Sequence, residues 1–278
     1  MCKVSVFSEI IINFAALFND YKEANQQKYD MNRREFLKKT AVAAAGAAIV
    51  QPASAILSNA ESAGLMQNDE RPLKVLLING SPRRDGNTFT ALKEVEAQLM
   101  KNGITTEIFQ IGRRAVRMCI NCGGCKYNND LGCVFDDDFC NVIAQKMATS
   151  DAMIVGTPVY YGQPNGGILA LLQRLFFSNG KLVQNKPAAA IAVCRRGGAT
   201  AALQTLNMMF EMMNMPIVTS QYWNIAYGAE KGEVRRDTEG MQTMRTLGSN
   251  MAWLLKKMHT GGDPLPERER TEYTNFIR

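Results

Sequence analysis

From residue 72 onward, short unbroken apolar runs alternate with longer stretches in which apolar residues recur every three or four positions. The run "LKVLLING" at 73–80 closes on a glycine, the pattern of a strand covered on both faces. Residues 87–102 then place Leu92, Val95 and Leu99 on one helical face. The alternation continues with a strand at 104–112, a helix at 139–149, a buried strand at 151–162 and a helix at 167–177. A fourth strand follows at 187–198. A helix at 200–213 carries Leu203, Leu206, Phe210 and Met213 on its face, and a short fifth strand is expected near 217–220. The last helix has the stripe Met241, Met244, Leu247, Met251, Leu254 and Met258, which reads as core filler. Strand–helix alternation of this kind predicts an α/β fold, a doubly wound five-stranded parallel sheet with helices on both faces. In such sheets ligands sit outside the carboxyl ends of the strands, so the loops after strands one, three and four are where chemistry is expected.

The first 71 residues have a different character. The segment "MNRREFLKKTAVAAAGAAIVQPASA" begins at Met31 with Arg33 and Arg34. It continues through an Ala-rich apolar stretch at 41–50 and closes on Ala53, Ser54 and Ala55. These are the three regions of an export signal, with an apolar part too short for a permanent membrane span. "NRREFLK" resembles the twin-arginine signal of bacterial exported proteins, which implies a periplasmic location and, if the signal is not used, a cytoplasmic one. Translation could start at Met1 or Met31. The expected division is an extension and signal at 1–55, a polar linker at 56–71, one domain at 72–262 with a cysteine loop at 113–140, and a tail at 263–278. At 46% hydrophobic and 21% charged residues the chain can bury a real core. A net charge of +6 without a dense basic run argues against nucleic acid and for a small anion or a protein partner.

Three loops carry candidate chemistry. After strand one, "NGSPRRDGNTFT" offers the hydroxyls of Ser81 and Thr88, the charges of Arg83 and Arg84, and Asn87 as an N-cap for the next helix. A helix N-terminus there suits a phosphate. After strand three, "TPVYYGQPNGG" has Pro158 to stiffen the turn, and Tyr160 and Tyr161 could cover a flat aromatic ring. After strand four, Gly197 and Gly198 allow close approach of backbone to a ligand.

Four of the seven cysteines fall within fifteen residues. Cys119, Cys122, Cys125 and Cys133 have the spacing C-x2-C-x2-C-x7-C, with Gly123 and Gly124 permitting a sharp backbone between them. Compact spacing with a distant fourth ligand is similar to a ferredoxin run without its closing proline. Zinc and, in an oxidising compartment, disulfides are the alternatives. Cys140 and Cys194 read as buried thiols, and Cys2 would leave with the signal. The single histidine, His259, lies near the end of the last helix and reads as structural, so no histidine-based triad is expected.

Taken together, "GSPRRDGNT" and "GTPVYYGQPNGGILALLQR" resemble the two flavin loops of the flavodoxin-like oxidoreductases, in the branch of NADPH-dependent FMN reductases and iron–sulfur flavoproteins. The resemblance spans about residues 72–260. It implies that Ser81, Arg83, Asn87 and Thr88 hold the FMN phosphate. It further implies that Pro158, Val159, Tyr160, Tyr161 and Gly162 line the isoalloxazine, and that Gly197 and Gly198 close its other edge. The cysteine spacing is similar to the motif that holds a [4Fe–4S] cluster in the iron–sulfur flavoproteins, and Asp136, Asp137 and Asp138 fit that family too. The family's Lys and Asp in the helix after Gly162 correspond here to Leu169 and Gln173, while Arg174 is kept, which bears on subunit contacts. The function implied is an FMN-dependent oxidoreductase. It would move electrons between a donor, FMN and the cluster to a small acceptor, such as a quinone or flavin, or to a redox partner protein. The other version is an NAD(P)H-dependent reductase without a cluster, the cysteines being paired or structural. A third is a non-catalytic, disulfide-stabilised binding domain. A dimer or tetramer is implied by the same likeness.

Overall fold

The computed structural model describes residues 71–127, 132–260 and a few positions of the tail. The export signal and linker lie outside the described residues. Strand β1 (Lys74–Asn79) holds Val75 to Ile78 at 0% exposure, as an unbroken apolar run requires in the middle of a covered sheet. Helix α1 (Asn87–Lys101), strand β2 (Thr105–Gln110) and a cysteine-bearing segment follow. Next come α2 (Cys140–Ala148), β3 (Ala152–Tyr160), the two-residue β4 (Gln163–Pro164), α3 (Gly166–Val183) and β5 (Ala188–Cys194). Helix α4 (Ala199–Met212), strand β6 (Ile225–Tyr227) and α5 (Thr238–Thr260) complete the unit.

The main ladder runs β2-β1-β3-β5-β6, all parallel, with β4 folded back antiparallel on the end of β3. Setting β4 aside, this is the flavodoxin-like order, whose switch point lies between β1 and β3. The two-residue period of the strands divides the core. Val75 and Leu77 pack with Leu92, Val95, Leu99, Met244 and Met251 of α1 and α5. Leu76 and Ile78 pack on the other face with residues of α2 and α3, among them Ile143, Met147, Ile168 and Leu171. Truncating one such side chain to alanine costs about 2–5 kcal/mol.

Two expectations are corrected. The fifth strand of the main ladder is not at 217–220: Ile217 makes a single bridge to Ala188, and the chain then leaves the sheet. It returns at Asn224, whose carbonyl accepts from the Ala192 N–H at 3.0 Å, and pairs as β6. The excursion carries Tyr222 and Trp223, both exposed, which could not continue a buried ladder. On α5 the expected stripe meets the core: Met241, Met244, Leu247 and Met251 are buried with Ala252 and Leu255, and Leu254 is half-buried against the same cluster. Helix α3 also runs six residues beyond the expected Phe177, with a break at Asn179. Among the described residues no helix is long and apolar enough to cross a membrane.

Candidate flavin and cysteine sites

The carboxyl ends of β1, β3 and β5 lie side by side, and their loops touch. The Gly80 N–H donates to the Gly156 carbonyl at 2.7 Å. A Cβ at Gly80 would lie 2.8 Å from that oxygen and 3.1 Å from Ile168 Cβ, so no other residue fits. Gly198, at φ 86°, sits against Gly162, and a Cβ there would come within 2.7 Å of Gly162 Cα. The loops after β3 and β5 are therefore pressed together backbone against backbone, with Val159 beside the contact.

The phosphate-loop candidates divide into inner and outer positions. Ser81 is buried, its Oγ accepts from the Arg83 N–H at 3.1 Å, and its carbonyl accepts from Gln110 Nε2. Thr88 is buried in the first turn of α1. Asn87 does not cap that helix. The N-cap is Gly86, with no side-chain capping bond, and Asn87 turns away to the loop before α5. Its Nδ2 donates to the Glu230 carbonyl at 2.9 Å and its Oδ1 accepts from the Val234 N–H at 3.3 Å. An uncapped first turn leaves backbone N–H groups for an anion, so the chain fits a phosphate there without help from Asn87. Arg83 and Arg84 are exposed, and with Arg113, Arg114 and Phe139 they line a cavity of about 490 Å³ on the β2 side of the loop.

Pro158 and Val159 are half-buried, while Tyr160 is exposed and Tyr161 fully so. Tyr160 pairs with Gln163, and Tyr161 and Gly162 form the two-residue turn between β3 and β4 at φ 51° and 77°. Both turn residues at positive φ make a type I′ hairpin, in which a bulky residue is strained. Gly197 is exposed with open space around its α-carbon.

Sequence reasoning missed Asn79 and Gln110. Asn79, wholly buried at the end of β1, accepts the Ser81 N–H at 3.1 Å and donates to Gln110 Oε1. A polar residue closing an apolar strand just before Gly80 was the available signal.

The cysteine segment lies after β2. Cys119 and Cys122 are exposed, Cys125 and Cys133 half-buried, and none of the four is in a disulfide. Asn121 and Gly123 adopt positive φ, and Gly124 lies so close to Val134 that a Cβ would meet it at 2.7 Å. All four cysteines line one small cavity of about 20 Å³, together with Phe135, Arg174 and Phe177. Among the described residues no three Cys, His, Asp or Glu side chains converge on a single ion.

Polar side chains pin this segment. Asn141 clamps the backbone of Cys133, accepting from its N–H at 2.9 Å and donating to its carbonyl at 2.8 Å. Arg174 and Asp138 form an ion pair with both side chains 1% exposed. Asp138 also accepts from the N–H groups of Arg117 and Cys140, at 2.9 and 3.0 Å. Beneath them the Cys140 thiol is pushed up to about 12 by burial. Burial also raises Cys194 at the end of β5, so neither is poised as a thiolate at neutral pH.

Fold and site together define a flavin-binding protein of the flavodoxin-like class. The family model of NADPH-dependent FMN reductases matches residues 73–230, and the chain belongs to that family. An iron–sulfur flavoprotein of Methanocaldococcus jannaschii is 31% identical over 66% of this chain and 98% of its own length. One of Methanosarcina thermophila is 28% identical over 69% of this chain and 100% of its own. An NAD(P)H:quinone oxidoreductase from Methanothermobacter marburgensis shares the fold at a TM-score of 0.51 and 12% identity, over 65% of this chain and 98% of its own. The protein is a flavin-dependent oxidoreductase with FMN as its cofactor.

Proposed function

We propose that the protein is an iron–sulfur flavoprotein, in which Cys119, Cys122, Cys125 and Cys133 would hold a [4Fe–4S] cluster that would supply single-electron exchange with FMN. The observation that carries this reading is that all four cysteines border one cavity. Four thiolates at C-x2-C-x2-C spacing with a distant fourth are a donor set that a four-iron cluster takes. The names of the archaeal relatives support the same reading.

FMN, when bound, supplies the acceptor for a hydride or single electrons. The chain's own residues do the rest. Ser81, Thr88 and the uncapped start of α1 receive the phosphate with Arg83 nearby, Pro158 to Gly162 flank the ring, and Gly197 and Gly198 leave room at its other edge. The acceptor is a small molecule such as a quinone or flavin, or a redox partner protein. The chain works as a dimer or tetramer. An export signal at 1–55 favours single-electron exchange, because nicotinamide nucleotides are scarce outside the cytoplasm.

The second reading, an NAD(P)H-dependent reductase without a cluster, is favoured by the family match itself. Anaerobic purification with iron, sulfide and FMN analysis separates the two. About four irons and four sulfides per FMN is the expected result, and iron-free yellow protein would overturn it. Stopped-flow mixing with NADPH is expected to leave the flavin oxidised on a catalytic timescale. Fractionation of a tagged chain is expected to place it in the periplasm.

A further inference from the structure

We propose that Arg174 is a positioning residue at the fourth cysteine, one that lends the Cys133 sulfur a hydrogen bond and thereby raises the cluster's reduction potential. This deepens the cluster reading above and rests on it. The starting observation is a contradiction of ordinary burial rules. Arginine is among the residues least often buried, yet Arg174 is 1% exposed, on a helix face otherwise made of Ile168, Leu171, Leu172 and Leu175. A guanidinium in such a place is stable only if its donors are satisfied.

All three of its nitrogens donate, and in a directed way. Nη1 pairs with the buried Asp138 and donates to the Arg117 carbonyl at 3.3 Å, and Nη2 donates to the Phe135 carbonyl at 3.1 Å. Arg117 lies two residues before Cys119 and Phe135 two residues after Cys133, so one side chain ties both ends of the cysteine segment. The Nε donor points at Cys133 Sγ at 3.4 Å. Of the four sulfurs, that of Cys133 alone receives a hydrogen bond from a described residue.

A mere strut would not need that last contact. Asn141 already fixes the Cys133 backbone through two bonds, and Asp138 already balances the buried charge. What Nε adds is electrostatic. An N–H donated to a ligating sulfur withdraws electron density from the iron it binds and favours the reduced, more negative cluster. Potential therefore depends on this bond more than stability of the fold does.

The test compares Arg174→Lys, Arg174→Gln and Asp138→Asn in the full chain purified anaerobically. Iron, sulfide and FMN content and thermal melting are recorded first. The cluster potential is then measured by redox titration followed by electron paramagnetic resonance, and the FMN potential by visible absorbance. Loss of the Nε donor in Arg174→Lys is expected to lower the cluster's reduction equilibrium about tenfold, or about 59 mV for a one-electron couple. The FMN potential should stay unchanged. Asp138→Asn keeps Nε and is expected not to lower the cluster potential. An iron-loaded Arg174→Lys protein with the wild-type potential would overturn the proposal. So would a lysine variant that binds FMN but cannot be loaded even by reconstitution, since the need would then be for a strut. If Arg174→Gln fails to fold, the lysine variant decides by the same criterion. Wild-type protein without iron and sulfide fails the cluster reading itself, a result distinct from a loaded protein with unmoved potential, and the proposal falls with it.

Discussion

The flavin edge and the cysteine segment sit on neighbouring loops of one sheet, yet they are built by opposite means. At the flavin edge, glycines let backbone press on backbone: Gly80 against Gly156, Gly198 against Gly162. Among the described residues the cysteine segment has no strand to lean on, and it is fixed by side-chain bonds from Arg174, Asp138 and Asn141. A cradle of packed backbone is rigid but intolerant of added atoms, because a tightly packed interior cannot yield locally. A loop held by polar side chains tolerates added bulk better but fails when one partner is removed, since the other is then buried unpaired.

The sharpest break in that contrast is at the buried pair. Arg174→Met, which strands the Asp138 carboxylate, is expected to cost about 3–5 kcal/mol in urea unfolding. The double variant Arg174→Met with Asp138→Leu is expected to recover most of that loss, and no recovery would mean the pair is not the main anchor. At the flavin edge, Gly80→Ala is expected to cost about 1–3 kcal/mol by overpacking and to leave the protein colourless, as read by flavin absorbance after desalting.

Thiol chemistry sharpens the contrast further. In iron-free protein, iodoacetamide at pH 8 should label Cys119 and Cys122 well before the buried Cys140 and Cys194, as followed by mass spectrometry. Because the Cys140 thiol ionises near its usual value of 9.0 only in the unfolded chain and is held up to about 12 in the fold, it penalises the native state as pH rises through that window. Cys140→Ala should therefore flatten the alkaline loss of stability. The smallest effect belongs to Arg117→Gln. Its ion pair with Asp137 is half-exposed on both sides, and removing it is expected to cost at most about 1 kcal/mol, less in high salt.

The contrast also explains what could be read from the sequence. Strands β1, β3 and β5 were legible because a buried parallel strand is an unbroken apolar run, and the loops after them mark the flavin edge by position alone. The last strand was misplaced because "PIVTS" is the stronger apolar pattern, while β6 is only three residues long. Local spacing makes Asn87 look like a cap, because it cannot reveal a bond to residues 143 and 147 positions away. The cysteine spacing was plain, but its anchors were not. Arg174 and Asp138 are 36 residues apart, and charged residues in a sequence are ordinarily taken for a solvated face.

The turn at Tyr161 and Gly162 carries a last consequence. A type I′ turn of this length favours asparagine before glycine, and tyrosine at φ 51° is a costly choice on an exposed tip. Tyr161→Asn is expected to raise the melting temperature and weaken FMN retention together. Thermostability and cofactor affinity would then pull against each other at a single residue, so a redesign guided by stability alone would select the substitution that empties the enzyme.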